Sequence, residues 1–286
     1  MATASVGPRL IRFGLVGREN EFKEVEADLG QTGGAAWRLY GGHRLWHAPE
    51  HPWRTYVPDN EPVAADPLPD GVRLTQPVEA ETGIQKEVVI RLPPAEARAE
   101  IRHRLYNRSL WPLDLAPWAL SVMAPGGVAI LPHAPRGDWP AQLLPTHTMT
   151  LWAFTDMGDP RWTWGARYVF LKQDAAQPRP QKIGLQATPG WLGYWRAGHL
   201  FVKTFDHRPG AAYPDLGSSV EIFTNASFLE LETLGPTVRV EAGGCVEHIE
   251  QWHLFDEVPP IPDDDAADAV IGPRLRSSTR PTADPS

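Results

Sequence analysis

Residues 227–236 read Ser-Phe-Leu-Glu-Leu-Glu-Thr-Leu-Gly-Pro and set two carboxylates, Glu230 and Glu232, two positions apart. In a β-strand successive side chains point to opposite faces, so Phe228, Glu230 and Glu232 share one side while Leu229, Leu231 and Thr233 share the other. The leucines then belong to a core, and the glutamates line a surface or a cavity. Two acids this close repel each other when both are charged, which raises one of them toward the range useful for proton transfer. The plain alternative is a half-solvated strand with ordinary surface glutamates, and the spacing by itself does not separate the two.

A second stretch dense in reactive side chains covers residues 37–50, Trp-Arg-Leu-Tyr-Gly-Gly-His-Arg-Leu-Trp-His-Ala-Pro-Glu. His43, His47 and His51 have the i, i+4, i+8 spacing of one helical face, a pattern that suits a metal. Gly41, Gly42, Pro49 and Pro52 break such a helix, so no metal site and no cofactor are expected. As an extended segment the stretch turns His43, Leu45 and His47 one way and Arg44 and Trp46 the other.

These residues need strands to position them. Thirty prolines and 25 glycines scattered along the chain divide it into short segments, which favours strands joined by turns over long helices. Residues 10–15, 86–92, 149–155, 167–172, 182–186, 220–224, 228–233, 238–241 and 245–255 read as strands. In 96–106 the alternation sets Ala97, Ala99, Ile101, His103 and Leu105 against Glu96, Arg98, Glu100, Arg102 and Arg104, and His103 reads as a core histidine. Residues 113–123 form a buried strand whose Pro117 marks a bulge or bend. Residues 194–205 read as a hairpin turning at Ala197-Gly198. Residues 19–29 are a loop or short helix, and 53–80 a long connection. The series predicts an all-β fold, a large antiparallel β-sandwich, as a single domain over 1–256. From 257 to 286 the Pro, Asp, Ala, Arg and Ser content predicts a disordered tail.

The chain of 286 residues is 42% hydrophobic, enough for a large core, and its 12 tryptophans against six tyrosines supply broad aromatic faces suited to β cores or sugar platforms. With 27 basic against 35 acidic residues the net charge is −8, a poor match to a polyanion, so no nucleic-acid partner is expected. The single cysteine, Cys245, fits a reducing compartment. No basic-then-apolar leader and no run of 18 apolar residues occurs, so the expectation is a cytoplasmic protein without a membrane partner. Oligomeric state is not legible.

At Leu229-Glu-Leu-Glu-Thr-Leu-Gly-Pro the chain resembles the aldose 1-epimerase (galactose mutarotase) superfamily, and the match places that family's catalytic glutamate on Glu232. Residues 238–255, with Glu241-Ala-Gly-Gly and then Glu-His-Ile-Glu-Gln-Trp-His-Leu-Phe, resemble its late turn and final strand. Residues 105–120 resemble its Asn-containing turn into a central strand, and Gly41-Gly42 falls where relatives carry a Gly-Gly. The likeness runs over about residues 5–256 and is closer to an uncharacterised bacterial branch than to the sugar-converting enzymes. It implies a galactose mutarotase-like supersandwich and a small-molecule carbohydrate partner. The implied activity is interconversion of anomers or epimers of a hexose or sugar phosphate by general acid/base chemistry; the alternative is a non-catalytic sugar sensor or structural interaction protein. In the working enzymes a histidine on the central strand serves as the acid, and its position here is Trp118. A second family histidine has no counterpart between Tyr56 and Glu87. His43, His47 and His147 are the candidate replacements, with Arg44, Trp118 and Glu230 as further substrate-binding residues. The family also starts with a strand ahead of Gly7-Pro8, so this chain is expected to lack its first strand and to leave an edge exposed.

Overall fold

Apolar side chains at every second position, interrupted by turns, build strands throughout this chain. The computed structural model describes residues 1–93 and 97–278. Its strands are β1 (Ala2–Thr3), β2 (Arg9–Leu10), β3 (Gly42–Ala48), β4 (Ala64–Leu68), β5 (Gly71–Thr75), β6 (Ile84–Arg91), β7 (Arg98–Asn107), β8 (Leu113–Met123), β9 (Val128–Pro132) and β10 (Met149–Leu151). They continue with β11 (Trp162–Trp164), β12 (Tyr168–Lys172), β13 (Gln181–Leu185), β14 (Trp191–Arg196), β15 (His199–Phe205), β16 (Val220–Thr224), β17 (Leu229–Leu234), β18 (Val238–Val240) and β19 (Cys245–Phe255).

Among the described residues these strands form two antiparallel sheets. The first runs β1-β2-β3-β8-β17-β16-β13-β10, with β18 also on β8, and the second runs β11-β12-β9-β14-β15-β19-β7-β6-β5-β4. Leu229, Leu231, Ile222 and Ile183 of the first sheet and Ile101, Leu105, Val88 and Trp252 of the second meet in one apolar core. The fold is the large antiparallel sandwich that the alternation predicts.

Pro117 lies where β8 exchanges one partner for another. Leu113, Asp114 and Leu115 pair with β18, whereas Trp118 to Met123 pair with β17. A residue without an N–H is tolerated at such a hand-over, where no ladder bond is lost. The β14–β15 hairpin turns at Ala197 and Gly198 with φ of 49° and 86°, the twist that a two-residue hairpin requires.

Three expectations need correction. The segment 53–80 is not wholly a connection, because β4 and β5 form a hairpin at the edge of the second sheet; Pro67 fits there, since an edge strand can lack a ladder donor. The strand expected over 10–15 is confined to Arg9–Leu10, and it does have a preceding partner in β1. The tail expected to be disordered over 257–286 instead contains a helix, Asp264–Ser278, and its residues 279–286 lie outside the described residues. Ala267, Val270 and Ile271 of that helix bury against Ile130, Phe170, Trp191, Leu200 and Val202 on the outer face of the second sheet. The carboxylate of Asp263 accepts the N–H of Ala266, a capping bond, and Asp264 accepts the backbone N–H groups of Ala166, Arg167 and Tyr168. Glu96, the expected start of β7, lies outside the described residues. No described helix is long and apolar enough to cross a membrane.

Candidate functional site

The site rests on the outer face of the first sheet, where register sets side chains in rows. One row reads Arg44, Leu120, Glu232, Glu221, Gly184 across β3, β8, β17, β16 and β13, and the next reads Gly42, Val122, Glu230, Phe223, Lys182. Gly42 opens β3 because a Cβ there would stand 2.2 Å from the Leu10 carbonyl oxygen, and its φ of 70° suits glycine alone. That close entry brings Arg44 and Trp46 onto the outer face.

Over these rows lies a cavity of about 430 Å³. Trp118, Leu120, Glu230 and Glu232 contribute to its floor, Trp46, Phe223 and Phe228 to its sides, and Trp37, Tyr56, Trp152 and Phe154 reach in from loops. The Trp46 ring packs edge-on against Trp118 at 5.2 Å and against Tyr56 at 5.1 Å, while Phe223 and Phe228 lie 6.0 Å apart. Such walls offer flat apolar faces above a carboxylate floor.

Lys182 organises the floor. Its ammonium lies 2.7 Å from Glu221 and donates to Glu232 Oε2 at 3.1 Å, above the rings of Trp118 and Trp152. Trp118 Nε1–H donates to the same Glu232 oxygen at 2.8 Å, and Glu232 Oε1 has no hydrogen-bond partner. Burial opposes the charge on Lys182, but Glu232 and Glu221 outweigh it and hold the ammonium above its ordinary pKa. Burial, aided by Glu232, pushes the Glu221 carboxyl well up. Burial and the Glu232 carboxylate push Glu230 to about 8, against the pull of Lys182 and Arg44.

Of the residues expected at a site, Glu232, Glu230 and Trp118 come together in this cavity. Arg44 stands just behind its wall, with the guanidinium 5.0 Å from the Trp37 ring and donating to the carbonyls of Arg38 and Leu39. Burial and then Arg9 lower its pKa to about 9. His43 and His47 do not reach the cavity, because the alternation along β3 turns them inward. His47 is buried there, and burial, then Lys86, lowers it to about 4. His147 lies in the segment between β9 and β10, its ring 5.4 Å from that of His133. Lys182 and Glu221 were missed by sequence reasoning. A usable signal was Lys182 alternating with inward Ile183 and Leu185, but nothing local connects it to an acid 50 residues away.

Between the sheets lies a second polar cluster. His43 Nε2 is 2.7 Å from His103 Nε2, and His43 Nδ1 is 2.8 Å from Ser121 Oγ. Glu250 accepts from Lys203, Thr233 and Trp252. His103 Nδ1 faces the His248 carbonyl at 3.0 Å and so carries a proton; the network then assigns Nε2–H to His43 and leaves Ser121 to donate. His43, His103 and Glu250 offer ligand atoms within 4.8 Å of one another, the set among the described residues that could hold a metal ion. Their hydrogen bonds close as they stand.

No family model matches the sequence, and no curated protein matches it. Solved structures do match in fold. A TPR-domain containing protein from Parabacteroides distasonis superposes with a TM-score of 0.57 at 12% identity, over 90% of this chain and 45% of that one. A mutarotase candidate (YeaD) from Salmonella typhimurium gives 0.54 at 11% identity, over 87% and 85%. A galactose mutarotase-like protein from Lactobacillus casei gives 0.49 at 11% identity, over 75% and 85%. This chain therefore spans less than half the length of the Parabacteroides protein. At these identities the likeness is one of fold, and that fold is the galactose mutarotase-like sandwich.

Proposed function

We propose that the aromatic cavity on the first sheet binds a small uncharged carbohydrate. The observation that carries this reading is the pairing of aromatic walls with a carboxylate floor, since a sugar presents C–H faces to rings and hydroxyls to carboxylates. The mutarotase-like fold supports the same class of ligand. Charge favours an uncharged sugar over a phosphorylated one. Glu50, Glu230 and Glu232 line the cavity, its one lining cation among the described residues is Lys182, and that ammonium is already shared by two carboxylates. A phosphate dianion would find no free counter-charge. Glu232, the expected general base, is held by Lys182 and Trp118 and is on this reading a fixed acceptor for a hydroxyl through Oε1. These bonds favour the binding role over the base role.

The test is tryptophan fluorescence and NMR titration of the full chain with glucose, galactose, mannose and their 6-phosphates. Saturable binding of one or more free hexoses, with the matching phosphate at least tenfold weaker, is the expected result. Absence of saturable binding across the panel, or tighter binding of the phosphates, rejects the reading.

A further inference from the structure

We propose that the aromatic cavity is a site for two sugar rings and that its ligand is a neutral disaccharide. The inference rests on the sugar-binding reading and narrows the class of sugar.

The aromatic lining falls into two groups. Trp46 packs on Trp37 at 6.0 Å, Trp37 on Tyr56 at 5.5 Å and Tyr56 on Trp46 at 5.1 Å. At the other end Phe223 packs on Phe228 at 6.0 Å and on Phe154 at 6.5 Å, and no ring pair among the described residues joins the two groups. Register sets them apart. Trp46 lies opposite Trp118 on β8, whereas Phe223 lies opposite Glu230 on β17, which in turn lies opposite Val122 on β8. Trp118 and Val122 are separated by roughly 13 Å of strand, and three spacings of about 4.8 Å carry β3 across to β16. A single pyranose ring does not reach from one group to the other. The cavity of about 430 Å³ between them has room for a second.

Each group also has its own carboxyl. Glu50 stands exposed beside the first, with its Oε1 accepting the Tyr56 O–H at 2.5 Å. Glu230 reaches the cavity half-buried beside Phe223, and no described residue donates a hydrogen bond to it. Glu232 lies in the row between, two residues along the strand from Glu230, with Oε2 held by Lys182 and Trp118 and Oε1 unpartnered. An aromatic face with an acceptor for hydroxyls is what one sugar ring requires, and the cavity presents that combination twice. Glu232 Oε1 is then the acceptor for a hydroxyl beside the linkage of the two rings. Three carboxyls against one shared ammonium keep the class neutral, because an acidic sugar would meet like charge.

The experiment is calorimetric titration of the full chain with maltose, cellobiose and lactose beside glucose and galactose. At least one disaccharide should bind more than fivefold tighter than each of its constituent monosaccharides. Trp37→Ala and Phe223→Ala remove half-buried rings at opposite ends, and each should weaken that disaccharide by fivefold or more. A measurement independent of the variants' folding is saturation-transfer NMR on wild type: with the protein's aromatic protons irradiated, the C–H protons of both sugar rings should receive saturation. Affinities of all three disaccharides within fivefold of their monosaccharides, a loss confined to one of the two variants, or saturation confined to one ring overturns the proposal while the binding reading stands. Failure of every saccharide to bind overturns both.

Discussion

Lys182 stands between two buried carboxylates and is the residue on which the cavity floor depends. Removing one partner of a buried ion pair leaves an uncompensated charge, a loss of about 3–5 kcal/mol. Lys182→Met should therefore lower stability by about that amount in urea unfolding, and adding Glu221→Gln should recover part of it. A loss under about 1 kcal/mol in the single variant would mean that the carboxylates do not need the ammonium. Glu230 and Glu232 were legible in the sequence because strand alternation is a local signal, and Leu229 and Leu231 identify the inner face. Lys182 was not, since its meeting with Glu232 depends on β16 lying between β13 and β17, a fact of topology rather than of spacing. His43 and His47 show the reverse failure. Their residue types suggested a sugar site, while the same alternation that turns Arg44 and Trp46 outward commits the histidines to the interior.

Strands β3, β8 and β17 face β7, β15 and β19 through the interior polar cluster, and this contact gives the sandwich a pH dependence. Burial lowers His43 and His103, and it takes His248 down to about 3. The folded protein thus refuses protons that the unfolded chain accepts below about 6.5, so stability present at neutrality is lost as pH falls. One such histidine accounts for about 2 kcal/mol between pH 7 and pH 5. Burial opposes the Glu250 carboxylate, but Lys203 holds it well below the usual range, which extends the loss at lower pH. Glu230 and Glu221 act in the opposite sense, because the folded state keeps protons that the unfolded chain releases; for Glu230 stability declines as pH rises from its ordinary 4.5 through about 8. Because the two effects offset each other in urea midpoints, the check is histidine NMR: the His43 and His248 rings should not titrate between pH 7 and pH 5, and titration there would contradict their neutral, buried state. His103 was legible as a core histidine from its apolar strand face. Its bond to His43, 60 residues earlier, was not.

At the scale of the whole molecule the sandwich carries a helix on its second sheet, and that helix escaped the sequence reading for a physical reason. Pro273 and a run of aspartates are poor helix material, and Asp264–Ser278 owes its place to capping and to an apolar strip docked on β9, β12, β14 and β15. Ile271→Ala should cost about 2–5 kcal/mol and lower the melting temperature; an unchanged melting temperature would mean that the docking contributes nothing to the fold. The sandwich itself was legible because alternation recurs in strand after strand, whereas its partner order was not. The two polar sites lie back to back, with Glu232 in the cavity and the next residue, Thr233, in the interior cluster. Sliding β17 by a single residue would carry the acid among the buried histidines and lift the hydroxyl into the aromatic cavity, so both faces penalise the same error. The floor is thereby bound to the core and has no latitude of its own. Any change of ligand preference on this scaffold is left to the loop-borne walls Trp37, Tyr56, Trp152 and Phe154, which can be exchanged without disturbing a strand.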